Sequence, residues 1–257
     1  MPHIVSIKVE NVMHMQETEC LSMLKTINDS GFLIIECQDI YKNRESLLYL
    51  SNFFGKIVYH DHSCNDGVVP IMPIFNNPQY VNTTNQTLSL HTDGSFETNP
   101  PKVIAMQCEI AANRGGLTQL INAKLIYEYL YQIAPNDILM LFQPDVFTVT
   151  RNKKTATRAV FEYKNGRVQM AFRSDHAARI LVKPQAVKLF NLIKDFISNP
   201  QHQTILKLKR NQILILDNTK VLHGRTSFKR TEKRKINRIW FNGKSNYSSY
   251  LRLGFLP

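Results

Sequence analysis

The sequence lacks the cysteine pairs, glycine-rich loops and long apolar runs that mark several common protein classes. Its four cysteines lie far apart, so no CxxC pair suggests a zinc site or a redox motif. No GxGxxG loop is present, which disfavours a dinucleotide-binding fold. No apolar run approaches the roughly 20 residues that span a membrane, and the first residues, MPHIVSIKVENV, lack the charged and apolar regions that predict a signal peptide. We therefore expect a cytoplasmic protein with reduced thiols and no membrane partner.

Positive charge is concentrated in the second part of the chain. Residues 1–100 carry 5 Lys and Arg against 11 Asp and Glu, whereas residues 101–257 carry 27 against 9. Seven basic residues fall within one short block: Arg225, Lys229, Arg230, Lys233, Arg234, Lys235 and Arg238. Such a block can bind nucleic acid or an anionic small molecule, or its side chains can simply be exposed to solvent. We expect most of the seven to be solvated and one or two to have a specific role.

Short strands joined by tight turns dominate from about residue 88. Segments 102–110 and 117–122 flank a turn that contains Gly115-Gly116, and segment 159–172 has the pattern of a hairpin around Asn165-Gly166. Three closely spaced strands then run to the C-terminus, after a helix at 184–198. The pattern predicts a mainly β protein with peripheral helices, built as a β-sandwich or jelly roll.

The first 60 residues have a different pattern. A helix over 16–30 stopped by Gly31, a strand over 32–37, a helix over 45–55 and a strand at KIVYH (56–60) predict an α/β segment. With 257 residues, the chain fits one large domain in which this segment of about 1–60 packs on the β core.

His91 and Asp93, in the stretch LHTDGSF, are the first candidate site residues. Two residues apart on a strand, they would point to one face as a hydrogen-bonded pair, a proton-transfer pair or two ligands of a metal. His223 would complete a set of two histidines and one carboxylate, which binds Fe(II) on one face and leaves positions open. A lone His-x-Asp is weak by itself.

Two arginines beyond the second histidine strengthen this interpretation. Arg234 and Arg238 lie 11 and 15 residues after His223, and strand alternation would put both on one face with Ile236. A buried guanidinium needs an anionic partner, and the chain offers no obvious acid for both. A bound dicarboxylate would serve.

Four segments together resemble the taurine dioxygenase/TfdA-like branch of the Fe(II)/2-oxoglutarate-dependent oxygenases. They are HTDGSF (91–96), RGGLTQL (114–120), LDNTKVLHGRTSF (216–228) and RKINRIW (234–240), and GFLIIECQDI and NFFGKI also match the family's opening. The resemblance implies a double-stranded β-helix (jelly roll) core. It makes His91, Asp93 and His223 the iron ligands, Arg234 and Thr118 the groups that bind 2-oxoglutarate, and Arg238 a second arginine for cosubstrate or anionic substrate.

The resemblance also implies a reaction. An enzyme of this family uses Fe(II), 2-oxoglutarate and O₂ to hydroxylate or desaturate an unactivated C–H bond, with release of succinate and CO₂. Because Asp93 occupies the carboxylate position that halogenating relatives leave free for halide, hydroxylation or desaturation is favoured. The expected substrate is a small polar molecule, an amino acid or a related carboxylate or sulfonate, and a homo-oligomer is left open.

Substrate contacts are harder to assign. Candidates are the loop 82–89, which includes Ser89, and Phe96 just after the site. Arg173 and Asp175 would lie on the same face of a strand. There they could bind the carboxylate and amine of an amino acid, or they could form an ion pair with each other. The His60-x-His62 pair favours a role at the rim of the site over a second metal site. Trp240 is expected to be a core residue.

Two rival functions stay open at this stage. A basic nucleic-acid-binding or nucleic-acid-modifying jelly-roll protein is favoured by the charge of the second part, but no aromatic stacking array accompanies it. A jelly roll that keeps the fold without the chemistry is disfavoured, because all three ligands and the arginine are present.

Overall fold

The computed structural model describes residues 6–38, 43–74 and 83–257. The helices are α1 Glu17–Ser30, α2 Asn43–Tyr49, α3 Ser51–Phe54, α4 Ala123–Ile133 and α5 Val187–Ser198. The strands are β1 Ser6–Val9, β2 Phe32–Cys37, β3 Val69–Ile71, β4 Leu88–His91, β5 Val103–Ile110, β6 Thr118–Asn122, β7 Phe147–Arg151, β8 Lys154–Arg158, β9 Phe161–Lys164, β10 Arg167–Met170, β11 Arg179–Val182, β12 Thr204–Leu206, β13 Gln212–Asp217, β14 Val221–Arg225 and β15 Lys235–Phe241. Within the described ranges, no helix has both the length and the apolar character needed to cross a membrane.

Two sheets form the centre of the molecule. The larger has the strand order β1-β2-β13-β5-β15-β3, and the smaller has the order β12-β6-β14-β4. One apolar cluster joins side chains of both sheets, including Ile104 and Trp240 from the larger and Leu120 and Val221 from the smaller. The sheets therefore pack face to face, and the predicted mainly β fold with a jelly-roll core is confirmed.

Helices cover the outer faces of both sheets. Leu24 of α1 packs with Ile35 of β2 in one cluster behind the larger sheet. Ile126 of α4 and Ile193 of α5 pack with Leu222 of β14 behind the smaller one. Because each sheet is covered on both sides, β13 is buried along its whole length and reads as a continuous apolar run rather than an alternating one.

Several local predictions are confirmed. Helix α1 ends where Gly31 adopts a left-handed φ of 86° and donates its backbone N–H to the Ile27 carbonyl. The Asn165-Gly166 turn between β9 and β10 has φ values of 50° and 74°, as a two-residue hairpin turn requires. The N-terminal strands are part of the larger sheet, because β2 is hydrogen-bonded to β13 and β1 is hydrogen-bonded to β2.

Other predictions are wrong in detail. The helix expected over 45–55 is two short helices, because the N–H groups of Phe53 and Phe54 both bond to the Leu50 carbonyl and start a new turn there. The segment 56–60 is not a strand and makes only a single bridge, from Ile57 to Phe241.

Helix α4 was not predicted. Its Tyr and Ile content suits a strand, but buried Ile126 and Leu130 lie four apart, and the Asn122 side chain accepts from the Lys124 N–H as an N-cap. The spacing and the cap were readable in the sequence.

Candidate metal centre

Two histidines face each other across neighbouring strands of the smaller sheet. His91, the last residue of β4, is paired with His223 of β14, and their ring centroids lie 4.6 Å apart. The register shifts just after His223, where Gly224 passes so close to β4 that a Cβ would lie 2.7 Å from the Leu88 carbonyl oxygen. A side chain at position 224 would push the strands apart, so this glycine is needed for the two histidines to meet.

Asp93 reaches the histidines from a turn rather than from the strand. Strand β4 ends at His91, and Thr92 then donates its N–H to the Phe172 carbonyl at 2.9 Å. The Asn218 side chain holds the backbone of Asp93, since it accepts from the N–H at 2.8 Å and donates to the carbonyl at 3.0 Å. The prediction that one strand carries both ligands is therefore wrong, and Asn218 is a supporting residue that sequence reasoning missed.

The three donor groups have the spacing of ligands around one ion. Asp93 Oδ1 lies 3.4 Å from His91 Nε2, Asp93 Oδ2 lies 3.7 Å from His223 Nε2, and all three ligand atoms lie within 4.8 Å of one another. These distances exceed the about 2.7–3.2 Å of an N–H···O hydrogen bond. They fit neighbouring ligands of a metal with bonds of about 2 Å. No other group of three or more His, Cys, Asp or Glu in the described ranges has such spacing.

The protonation states also suit a metal. His91 Nδ1 lies 2.8 Å from the Ser89 carbonyl, which can only accept, so Nδ1 carries the proton and Nε2 is free to bind. Burial lowers the pKa of His223 to about 3, with a further contribution from His91, so its ring is neutral. Burial would raise the pKa of Asp93, but Arg238 and the two histidines outweigh it and hold that pKa well below the usual range.

Strand β15 places two donors on the Asp93 carboxylate. Arg238 Nη1 donates to Oδ1 at 3.1 Å and Oδ2 at 2.9 Å, and Trp240 Nε1 donates to Oδ2 at 2.9 Å. The predicted alternation holds here, because Ile236, Arg238 and Trp240 face the space between the sheets. Trp240 is the predicted core residue, and its bond to Asp93 is a role that sequence reasoning missed, although its spacing from Arg238 contained the signal.

Arg234 and Thr118, the residues predicted to bind 2-oxoglutarate, lie near the start of β6. Arg234 precedes β15, outside the strand on which it was expected, and lies over Gly116. A Cβ at position 116 would be 3.1 Å from Arg234 Cδ and 3.2 Å from Nε. Thr118 is buried two residues further on and is paired in the sheet with Arg225 of β14. Gly116 therefore leaves space that the Arg234 side chain occupies.

Arg225 and Arg234 form a cationic pair. Burial lowers the pKa of each to about 10, and Arg234 lowers that of Arg225 further. Arg225 donates to the backbone carbonyls of Thr84 and Gln86. Neither arginine forms an ion pair with a carboxylate of the described residues. Such an arrangement attracts an anion.

Of the four predicted substrate residues, the structure places Phe96 and Arg173 at the pocket that contains His91 and Asp93. Phe96 is buried against the pocket that holds His91 and Asp93, and Arg173 lines the same pocket. Arg173 and Asp175 lie in an irregular segment rather than on a strand, and Arg173 Nη2 is 2.8 Å from Asp175 Oδ2. The side chain of Ser89 is exposed, so this residue contributes its carbonyl to His91 instead. Asn82, in the same predicted loop, lies outside the described residues.

The rim of the pocket joins three parts of the chain. The His60 ring meets Trp240 edge-on at 4.8 Å, in agreement with a place at the rim. Lys154 pairs with Asp61 at 2.8 Å and with Glu97 at 2.9 Å. The β7–β8 hairpin is thereby tied to the segments on either side of the pocket.

Comparison of the sequence with known proteins identifies a matching family and several relatives. The sequence profile of the family described as "Taurine catabolism dioxygenase TauD, TfdA family" matches residues 4–240. The chain is 25% identical over 178 residues to an FR-33289 synthase of Streptomyces rubellomurinus, covering 62% of this chain and 50% of that protein. It is 28% identical over 160 residues to a uridine-5'-phosphate dioxygenase of a Streptomyces species, covering 56% and 57%. The chain thus spans about half the length of these curated relatives.

Solved structures share the fold at low sequence identity. An asparagine oxygenase in complex with Fe(II), 2S,3S-3-hydroxyasparagine and succinate aligns with a TM-score of 0.72 and 15% identity, over 88% of this chain and 79% of that one. The non-heme iron oxygenase OrfP, in complex with Fe and alpha-ketoglutaric acid, aligns with a TM-score of 0.69 and 14% identity, over 92% and 84%.

Proposed function

Since the chain belongs to the TauD/TfdA family, we propose that it is an Fe(II)- and 2-oxoglutarate-dependent dioxygenase that hydroxylates or desaturates an unactivated C–H bond of a small polar substrate. The observation that carries the proposal is the buried set His91, Asp93 and His223, whose ligand atoms all lie within 4.8 Å of one another. The family match supports the type of reaction, and the three ligand residues support the binding of iron.

The donor set fits ferrous iron. His91 and His223 would supply neutral nitrogen ligands through Nε2, and Asp93 would supply a carboxylate oxygen, a combination that suits non-heme iron. Bound iron with 2-oxoglutarate and O₂ would supply the oxidation, with succinate and CO₂ as coproducts. The Ser89 carbonyl orients the His91 ring, and Asn218 fixes the turn that presents Asp93.

The cluster of Arg234 and Thr118 supports a 2-oxoglutarate site. Arg234 is a half-buried guanidinium without an ion-pair partner among the described residues, and the fork of its N–H groups matches a carboxylate. We assign the distal carboxylate of 2-oxoglutarate to Arg234, with the Thr118 hydroxyl as a neutral hydrogen-bonding group. Arg225 adds positive charge from the neighbouring strand.

For the substrate we propose an amino acid or a related carboxylate or sulfonate. Arg238 lines the pocket next to Asp93, and Phe96 gives the pocket an apolar wall. The asparagine oxygenase and OrfP structures contain hydroxylated amino acids in some complexes. We do not propose nucleic acid as the substrate, because four of the seven residues of the basic block lie against Asp93, Glu109, backbone carbonyls or Gly116, and the exposed ones are Lys229, Arg230 and Lys233.

We further propose that residues 1–257 act as one domain, because β1 and β2 are hydrogen-bonded into the same sheet as the core strands. A cytoplasmic location is consistent with Cys20, Cys37, Cys64 and Cys108, none of which forms a disulfide.

A screen for succinate formation tests the proposed reaction. Iron-loaded protein with 2-oxoglutarate and O₂ is incubated with amino acids, sulfonates, other small carboxylates and, as a separate arm, oligonucleotides. At least one small molecule should raise succinate formation above the rate without substrate, and His223→Ala should show no increase. If folded, iron-loaded wild type forms no succinate above the metal-free blank, the proposal is wrong.

A further inference from the structure

Trp240, the single tryptophan of the chain, donates its indole N–H to one of the three metal-ligand residues. Its Nε1 lies 2.9 Å from Oδ2 of Asp93, and both side chains are buried. Most side-chain hydrogen bonds in proteins are made to backbone or water, so a bond from a core aromatic residue to a buried carboxylate is an uncommon pairing. The place of this donor bears on how Asp93 would bind a metal.

The two oxygens of Asp93 have different surroundings. Oδ2 accepts from Trp240 Nε1 and from Arg238 Nη1, both at 2.9 Å. Oδ1 accepts from the same arginine nitrogen at the longer distance of 3.1 Å, and it lies 3.4 Å from His91 Nε2. Two donors therefore occupy Oδ2, whereas Oδ1 keeps more of its lone-pair capacity and is the better placed oxygen for a metal.

The two donors on Oδ2 respond differently to a bound cation. The Arg238 guanidinium carries a positive charge, so a metal ion on the same carboxylate repels it. The indole of Trp240 is neutral and is spared that repulsion between full charges. Trp240 is therefore the donor that can hold Oδ2 with the metal in place.

The indole ring is fixed from several sides. The backbone of Trp240 is paired with Ile104 of β5, and its carbonyl accepts the Val58 N–H at 2.8 Å. The His60 ring meets the indole edge-on at 4.8 Å, and the Arg238 guanidinium lies 4.9 Å from the ring centroid. A donor held by both backbone and ring contacts keeps its acceptor in one orientation, as groups around metal ligands commonly do.

The orientation of Asp93 decides how many metal positions stay open. Six-coordinate iron with His91, His223 and one oxygen of Asp93 keeps three positions, enough for a chelating 2-oxo acid and for O₂. If both oxygens of Asp93 bound the metal, the 2-oxo acid would fill the remaining two positions and none would be left for O₂. A donor that keeps Oδ2 away from the metal therefore preserves the position that the oxidation requires.

We propose that Trp240 is a positioning residue, whose indole N–H holds Oδ2 of Asp93 and restricts this ligand to one position on the metal, through Oδ1. The inference rests on the proposed function and adds the residue that keeps a position open for O₂. Loss of the N–H alone, with an aromatic ring retained, should then change the metal site.

Trp240→Phe removes the donor and keeps an aromatic ring in the core. The probe is Mn(II), whose exchangeable water ligands are counted by water-proton relaxation. Wild type should bind Mn(II) with three exchangeable waters, and with one after 2-oxoglutarate is added. Trp240→Phe should bind Mn(II) about tenfold more weakly, with two waters alone and none with 2-oxoglutarate.

Phe241→Leu controls for lost packing. Phe241 is the next residue of β15, is fully buried and packs in the apolar cluster behind the larger sheet. This variant should lose stability because it loses buried apolar volume. Its Mn(II) affinity and its number of exchangeable waters should remain those of wild type. Equal changes of the metal site in the two variants would mean that packing, and not the indole N–H, is responsible.

A measurement on wild type keeps the proposal testable if Trp240→Phe does not fold. Because Trp240 is the single tryptophan, protein with isotope-labelled indole gives one indole N–H signal in its proton–nitrogen correlation spectrum. During titration with Zn(II), which is diamagnetic, this proton should keep the downfield shift of a hydrogen bond to a carboxylate. Return of the signal to the position of an indole without that bond would overturn the proposal.

The outcomes separate this inference from the proposed function. A folded Trp240→Phe with the Mn(II) affinity of wild type, or with three exchangeable waters, would contradict the role of Trp240 and leave the proposed function intact. Wild type with only two waters would do the same, since Asp93 would then bind through both oxygens. A folded wild type that binds no Mn(II) would instead contradict the proposed function.

Discussion

Arg238 donates through one nitrogen, Nη1, to both carboxylate oxygens of Asp93, at 3.1 and 2.9 Å. The same oxygens are those that a metal ion would bind, so Arg238 and the metal draw on one carboxylate. In the metal-free protein, this guanidinium is the main opposing charge that keeps Asp93 ionised in a buried position.

Arg238→Gln should therefore destabilise the metal-free protein more than the metal-loaded one. Breaking a buried pair leaves an uncompensated charge and costs roughly 3–5 kcal/mol. A divalent ion bound by His91, Asp93 and His223 would replace the missing positive charge and add binding free energy to the folded state. Urea unfolding with and without saturating Mn(II) measures the difference. An equal loss of stability under both conditions would contradict this account, and Arg179→Gln provides the control.

Gly116→Ala should weaken 2-oxoglutarate binding with little change in metal affinity. The added Cβ would meet Arg234 at 3.1–3.2 Å and displace its side chain. Gly166→Ala is the matched control, because Gly166 has a similar φ of 74° with nothing within 4 Å of the new Cβ. Both variants should lose about 1 kcal/mol of stability from the left-handed backbone. Only Gly116→Ala should raise the Kd for 2-oxoglutarate in the iron-loaded protein, by about tenfold. Equal values for the two variants would argue against the role of Arg234.

Acid should destabilise the fold through His60. Burial, with Arg238 nearby, lowers the pKa of His60 from 6.5 to about 4. The unfolded chain therefore binds more protons than the folded one below pH 6.5, so this contribution is present above that pH and is lost as the pH falls toward 4. Because His60 is only partly buried, we expect a loss of roughly 1–3 kcal/mol.

His60→Gln isolates that contribution. The free energy of unfolding of the metal-free protein is measured at pH 7 and pH 4.5 for wild type and variant, so that other groups cancel. Asp217 is one such group, since burial raises its pKa and its effect has the opposite sign. Wild type should lose more stability than the variant on acidification. Parallel curves would mean that His60 titrates normally in the folded protein.

Much of the fold could be predicted because local patterns and tertiary packing agree. Helix α1, the Asn165-Gly166 hairpin and the buried run of β13 each have one dominant signal that the core reinforces. The segment 56–60 has a strand-like composition, but it packs at the sheet margin, where Ile57 makes a single bridge. Such a segment cannot be told from a strand without knowing its neighbours.

The candidate site was predictable in its residue types and less so in its geometry. The resemblance of HTDGSF and LDNTKVLHGRTSF to the family's motifs predicted that His91, Asp93 and His223 would meet, and the structure brings their ligand atoms within 4.8 Å of one another. The turn that carries Asp93 depends on Asn218, 125 residues away, which no local pattern reveals. The Trp240 bond to Asp93 likewise depends on how two sheets pack, because strand alternation indicates only that Trp240 shares a face with Arg238.

Anaerobic titration with Fe(II) and 2-oxoglutarate tests the central claim most directly. The account predicts that wild type will develop a weak visible charge-transfer band only when both are present, and that His223→Ala will remain folded by circular dichroism without the band. A wild-type protein that is folded and shows no band, or a band of full intensity in His223→Ala, would contradict the assignment of His91, Asp93 and His223 as the iron site.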